Sequence, residues 1–289
     1  MQEIKKVVIW GHKLHSHTHS YVHNGFYRAF KHMGYDAYWF DNSDDISEFD
    51  FTGSLFITEG QVDEKIPLRD DCFYVTHNCY SDKYKSFKGG VMPLQVYTDD
   101  VLGYGIPKVE EGVYYDGTLY MSWATDLLPN EIILEHPRDT PDTCWFIGSM
   151  GEGEFGNINE LTPFKQACED NGIKFCHASN ISMEENRDKI RDSYLAPAIV
   201  GRWQKEKGYI PCRIFKNISY GQIGLTNSAA TKRLLGDHVI YSADEYDLFR
   251  LGEERLNSRN YIERLEEDMA FIRDNHTYIN RINTILKFL

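Results

Sequence analysis

Basic charge is what this chain has least of in proportion: 31 lysines and arginines stand against 44 aspartates and glutamates, a formal net charge of −13 over 289 residues. Broad binding to a polyanion depends on clustered Lys and Arg neutralising phosphates. A nucleic-acid partner is therefore not expected, while a local cationic pocket for one small anion is compatible with the balance. No run of about 18 consecutive apolar residues occurs, so no membrane insertion is expected. The early run "VVIW" is too short for a secretion signal. The six cysteines (Cys72, Cys79, Cys144, Cys168, Cys176 and Cys212) form no C-x-x-C pair and no dense framework. They read as reduced thiols in a cytoplasmic setting, which makes the N-x-S/T sequons at Asn180, Asn217 and Asn275 chance matches. There is no internal repeat and no low-complexity segment.

What is present is a globular composition, 42% hydrophobic and 26% charged, long enough for two ordinary domains. "KKVVIWG" reads as a buried strand, "NGFYRAFKHMG" as a helix with Phe26, Phe30 and Met33 on one face and Gly34 at its end, and "DAYWFD" as a second strand. "SLFITEG" gives a third strand ending at Glu59, and "CFYVTHN" a fourth ending at His77 and Asn78. Polar residues thus stand at strand C-terminal ends, the edge where open α/β sheets bind ligands. A small hairpin in "VEEGVYYDGTLY" and the crossover "ATDLLP", where Asp126 caps a turn, lead into a second alternation. There "TCWFIGS", "IKFCHA", "LAPAIVG", "IGLTNS" and "HVIYS" read as strands. "LTPFKQACEDNG", beginning near Thr162, "SMEENRDKIRDSY", "CRIFKNISYG" and "DEYDLFRL" read as helices. Beyond about Asn257, Tyr261, Leu265, Met269, Ile272, Ile279, Ile282 and Leu286 recur at helical spacing. The expected fold class is α/β: two Rossmann-like halves, 1–130 and 131–256, facing across a cleft, with a helical segment 257–289 packing back on the body.

The second half carries the clearest chemistry. In "FIGSMGEGEFGN" a strand runs into Gly148, Ser149, Gly151 and Gly153, whose backbone N–H groups suit close approach to a phosphate, although a plain turn has the same composition. In "KGYIPCRIFKNISYGQIGLTNS", Pro211 leads a helix whose first turns carry Arg213, Lys216 and Asn217. A helix N-terminus with a guanidinium and an ammonium converges on one anion, so a diphosphate is the natural occupant. These residues resemble the donor-binding half of GT-B glycosyltransferases, especially the exostosin-like and CgeB-like groups, whose pattern is approximately P-x-R-x-F-E-x-x-x-x-G-x-x-P/L followed by an apolar strand; the chain offers Pro211, Arg213, Phe215, Lys216, Gly221 and "IGLTNS". The resemblance implies a nucleotide-sugar donor, with the Gly148 loop and Arg213 near its diphosphate and Asn227 and Ser228 lining the cleft. Lys216 departs from the pattern, standing where many relatives have a ribose-binding Glu. "GRWQKEKGYIP" places Arg202, Trp203 and Tyr209 in a segment suited to a nucleobase pocket or, equally, to plain packing.

"GHKLHSHTHSYVH" holds His12, His15, His17, His19 and His23 directly after the first strand. One reading is a cleft loop in which His17 or His15, or Glu59 in their place, deprotonates an acceptor hydroxyl, since imidazole titrates near neutrality. His19, His77 and Asn78 would then touch the acceptor. A second reading is a metal-dependent hydrolase: His15, His17 and His19 alternate, and "HSHTHS" resembles the H-x-H of PHP phosphoesterases and amidohydrolases, which are barrels with further ligands on later strands. Asp99 and Asp100 in "VYTDDVL" lack the D-x-D spacing of a metal-bound donor site. The sequence therefore predicts an inverting transferase without metal or cofactor, moving a sugar from a nucleotide diphosphate, UDP before GDP, to a hydroxyl of a glycan or glycoconjugate. A glycan-binding module that lost turnover is the non-enzymatic alternative.

Overall fold

Val7, Val8, Ile9 and Trp10 are fully buried because their strand, β1 (Lys6–Trp10), runs inside a sheet and is paired on both sides. The computed structural model describes residues 4, 6–11, 13, 18–60, 62–77, 82–87, 89–97, 112–135 and 142–289. After β1 come α1 (Thr18–His32), β2 (Ala37–Phe40), β3 (Ser54–Glu59), β4 (Phe73–His77), α2 (Asp82–Ser86), β5 (Gly90–Gln95), β6 (Val113–Tyr115) and β7 (Thr118–Tyr120). They build one seven-stranded sheet in the order β2-β1-β3-β4-β5-β7-β6, parallel except for β6. Asp116 and Gly117, both at positive φ, make the tight turn between β6 and β7, the conformation that a two-residue Asp-Gly hairpin loop requires. The parallel register sets Glu59 beside His77 at the C-terminal edge.

The second half follows with β8 (Thr143–Ile147), α3 (Ile158–Asp170), β9 (Lys174–Ala178), α4 (Met183–Arg191), β10 (Pro197–Ala198), α5 (Arg202–Glu206), α6 (Cys212–Ser219), β11 (Leu225–Thr226), α7 (Ala229–Leu235), β12 (Ile240–Tyr241) and α8 (Glu245–Leu256). β8 pairs parallel with β9, and β10, β11 and β12 pair parallel in that order. The two groups are joined at β8, whose Thr143 carbonyl accepts from Tyr194 N–H just before β10. The chain ends with α9 (Tyr261–Asn275) and α10 (Tyr278–Leu286). Leu265, Met269 and Ile272 of α9 share a core with Ile214, Phe215 and Ile218 of α6. α10 crosses back: Tyr278, Ile282 and Ile285 complete the core under α1 and β1. Gly25 of α1 makes this possible, since a Cβ there would lie 2.2 Å from the Tyr278 ring.

Several local expectations change. α1 starts at Thr18, not near Asn24, so His19 and His23 are helical residues rather than members of an extended loop. α3 starts four residues before Thr162 and carries Pro163 in its second turn. β5, α2, α5 and α7 were not anticipated; α7 has the signals for it, with Ser228 accepting from Thr231 N–H at its start and Gly236 at its end. Among the described residues all three sheets, of seven, three and two strands, are open, unlike the barrel that the hydrolase reading requires. No described helix is long and apolar enough to cross a membrane.

Candidate functional site

Arg213 is fixed by its position near the start of α6. Pro211 caps that helix with φ −70° and ψ 143°, and the Arg213 side chain passes between the C-terminal ends of two strands. Its Nε donates to the Ile147 carbonyl at 2.8 Å and one terminal nitrogen to the Ile199 carbonyl at 3.2 Å. The guanidinium lies 4.1 Å from the Phe146 ring centroid. Gly148 follows β8 at φ +146°, and a Cβ there would sit 2.1 Å from an Arg213 nitrogen. Glycine at 148 is therefore required on two counts, backbone conformation and the space Arg213 occupies.

The glycine-rich loop folds on itself and on the next crossover. Asn157 N–H donates to the Gly151 carbonyl, and the Asn157 amide bridges Gly151 N–H and the Ser149 carbonyl. A Cβ on Gly201 would stand 1.9 Å from the Gly156 carbonyl oxygen, so the loop rests directly on the backbone entering α5. Phe155, 68% exposed, meets Trp203 edge-on at 5.2 Å, and Trp203 in turn meets Tyr97 at 5.4 Å. Tyr97 also lies 5.3 Å from Tyr209 and bridges to it through the backbone. These four aromatics join the edge of the first sheet to the second half. Arg202 points outward, paired with Glu206.

One turn beyond Arg213, Lys216 is buried with its Nζ 3.7 Å from the Tyr21 ring centroid. Burial lowers its pKa, opposed by Cys212 and Asp126; burial likewise lowers that of Arg213. Asn217 donates to the Ala196 carbonyl at 2.7 Å and ties α6 to β10. Asn227 accepts from Val200 N–H and donates to the Val200 carbonyl and to Glu245, while Ser228 caps α7 and donates to the Tyr209 carbonyl. Both residues are buried, and these contacts tie the end of β11 and the start of α7 to Val200, Tyr209 and Glu245.

Across the cleft, α1 carries His19 and His23 one turn apart on the face toward β3 and β4. His19 Nδ1 contacts Glu59 Oε1, and His23 Nε2 lies 3.1 Å from His77 Nε2. The His19 and His77 rings are 5.1 Å apart, and His77 meets Trp123 at 5.1 Å. All four polar residues are buried. Gly11, at φ +133°, leaves room for His23, whose Cε1 would be 2.6 Å from a Cβ at that position. His15, His17 and Asn78 lie outside the described residues, as does His12. Among the described residues no group of three or more His, Cys, Asp or Glu is arranged to hold a metal ion.

Tyr21 links the two sides, because it sits two residues beyond His19 on α1 and covers Lys216 of α6. The sequence reading counted His23 among the five clustered histidines without a role of its own, and it missed Tyr21, Trp123, Gly11 and Gly201. Only Gly201 left a local signal, a glycine between a short apolar run and a polar helical one. A diphosphate between the Gly148 loop and the start of α6 would meet two cations and the positive end of the helix, and a group transferred toward α1 would meet the His19–Glu59 pair.

No protein-family profile matches this chain, and no curated protein sequence matches it. Solved structures do. An α-glucosyltransferase in complex with UDP and a 13-mer DNA containing a HMU base superposes over 99% of this chain and 100% of its own, with a TM-score of 0.64 and 9% identity. A second structure of an α-glucosyltransferase with UDP and such a 13-mer matches over 95% and 96%, with a TM-score of 0.56 and 8% identity. The chain has the α/β fold of GT-B glycosyltransferases.

Proposed function

We propose that this protein is a glycosyltransferase that moves a sugar from a nucleotide diphosphate donor to a hydroxyl group. The observation that carries the reading is the convergence of Arg213, Lys216, the Gly148 loop and the start of α6, facing a buried His–Glu pair across α1. As the bond between the anomeric carbon and the β-phosphate oxygen breaks, negative charge collects on the diphosphate. Arg213, Lys216 and the N–H groups of α6 stabilise it without a metal ion. An acceptor hydroxyl attacks the anomeric carbon and loses its proton to a base from the histidine-rich segment, His17 or His15, or to the pair of Glu59 and His19. In this scheme residues 1–130 form the acceptor side with His19, His77 and Asn78, residues 131–256 the donor side, and 257–289 a helical brace.

A UDP-sugar is the favoured donor and a GDP-sugar the next; the matched α-glucosyltransferases bind UDP, and the pattern around Pro211 and Arg213 resembles the exostosin-like and CgeB-like groups. The net charge of −13 favours a glycan or glycoconjugate acceptor over a nucleic acid. The test is thermal unfolding of metal-stripped protein with UDP, GDP and their sugars, with and without Mn or Zn. A metal-independent rise with one nucleotide is expected, because a ligand of the native state stabilises by mass action. A rise with metal alone, or with none of the nucleotides, would overturn the reading. The anomer released by the active enzyme then reports the mechanism: inversion agrees with a direct displacement, whereas retention removes the histidines from the role of base.

A further inference from the structure

Lys216 is 7% exposed, and among the described residues its ammonium makes no ion pair and no hydrogen bond. A cation so placed is costly unless something compensates it. What faces it is poor compensation. From α1 comes the Tyr21 ring, 3.7 Å away, which offers a π face but no countercharge. From the crossover after β7 comes Asp126, whose Oδ1 is engaged by the Tyr220 hydroxyl at 2.7 Å rather than by the lysine. From its own helix come Cys212, whose thiol burial keeps protonated, and Arg213, a half-buried cation that works against the charge on Lys216.

Resting on the glycosyltransferase reading, we propose that Lys216 takes up a proton when a nucleoside diphosphate enters the cleft, so that donor binding and proton uptake are one event. In the empty cleft burial, and after it Arg213, weaken the amine's hold on its proton, and Cys212 and Asp126 oppose them only in part. An arriving diphosphate supplies the missing countercharge beside Arg213, and the amine nitrogen binds a proton from solvent. Release of the nucleoside diphosphate after transfer returns that proton. Direction follows by linkage: Lys216 loses its proton at a lower pH in the free protein than in the complex, so uptake occurs between those two values. Between them, affinity falls by about ten-fold per pH unit.

Calorimetric titration of UDP into the full chain from about pH 7 to pH 9, in buffers of different ionisation enthalpy, counts the protons. Uptake is expected to rise with pH toward about one proton per UDP. In Lys216→Arg, whose charge is permanent, uptake should vanish and affinity should no longer depend on pH. In Lys216→Met, affinity should be weaker than wild type at pH 7, and the gap should narrow as pH rises. UDP binding with no uptake across the range, or uptake that persists in both variants, overturns the inference and leaves the transferase reading standing. UDP that fails to bind the wild-type chain at any pH overturns both.

Discussion

Arg213 shows how a single residue can be conspicuous in sequence and still be understood only in space. Its proximity to Pro211 and to the start of a helix marked it, but its two carbonyl acceptors, Ile147 and Ile199, come from separate strands. Both bonds orient the guanidinium toward the mouth of the Gly148 loop, so it is set before any anion arrives. Arg213→Ala should weaken nucleoside diphosphate binding by roughly 1.5 to 3 kcal/mol, the scale of a hydrogen bond to a charged group. Equilibrium titration with UDP measures this, and an unchanged Kd would take Arg213 out of the site. The other side of the cleft was less legible. Glu59 and His77 stood out as polar strand ends, yet the pairing of Glu59 with His19, and of His77 with His23, depends on how α1 lies across β3 and β4. Tyr21, the cover of Lys216, carries no mark in the sequence at all.

At the scale of elements, legibility followed how much of the signal is local. β1, β3, β4 and β8 are apolar runs bounded by turn residues, and all appear where the pattern puts them. β5 was missed because "GVMPLQ" has Gly90 at its start and Pro93 inside it, both poor strand formers. It forms nonetheless because β4 pairs with it from Gly90 to Leu94, whereas β7 pairs only with Leu94 and Gln95, leaving Pro93 beyond the reach of that second ladder. The contact of α1 with α10 is equally nonlocal. Tyr278 is buried and packs against Phe26 at 4.6 Å, so it cannot swing away from a new methyl group on Gly25. Gly25→Ala should therefore destabilise the fold by about 1 to 3 kcal/mol, despite alanine's better helix propensity. Urea unfolding checks it, and a midpoint at or above wild type would show that the two helices simply spread apart.

Across the whole molecule, two passages of chain run side by side between the halves. Thr125 N–H donates to the His276 carbonyl at 3.0 Å, and Thr125 bridges Thr277. Arg281 grips the Ser122 and Trp123 carbonyls and donates to His276 Nδ1 at 2.8 Å. Burial first, and then the Arg281 charge, hold His276 well below its ordinary value of 6.5. The unfolded chain therefore binds a proton that the native state refuses, and stability falls as pH drops below about 6.5. Urea midpoints at pH 7 and pH 5 should differ more in wild type than in His276→Gln. Equal differences would place the acid sensitivity elsewhere. The return of α10 has a further bearing on how the protein is made. Phe26 emerges from the ribosome about 250 residues before Tyr278, and at roughly 5 to 20 residues per second the first core waits on the order of ten seconds or more for its last helix. Until then the face of α1 that Tyr278, Ile282 and Ile285 cover is bare apolar surface.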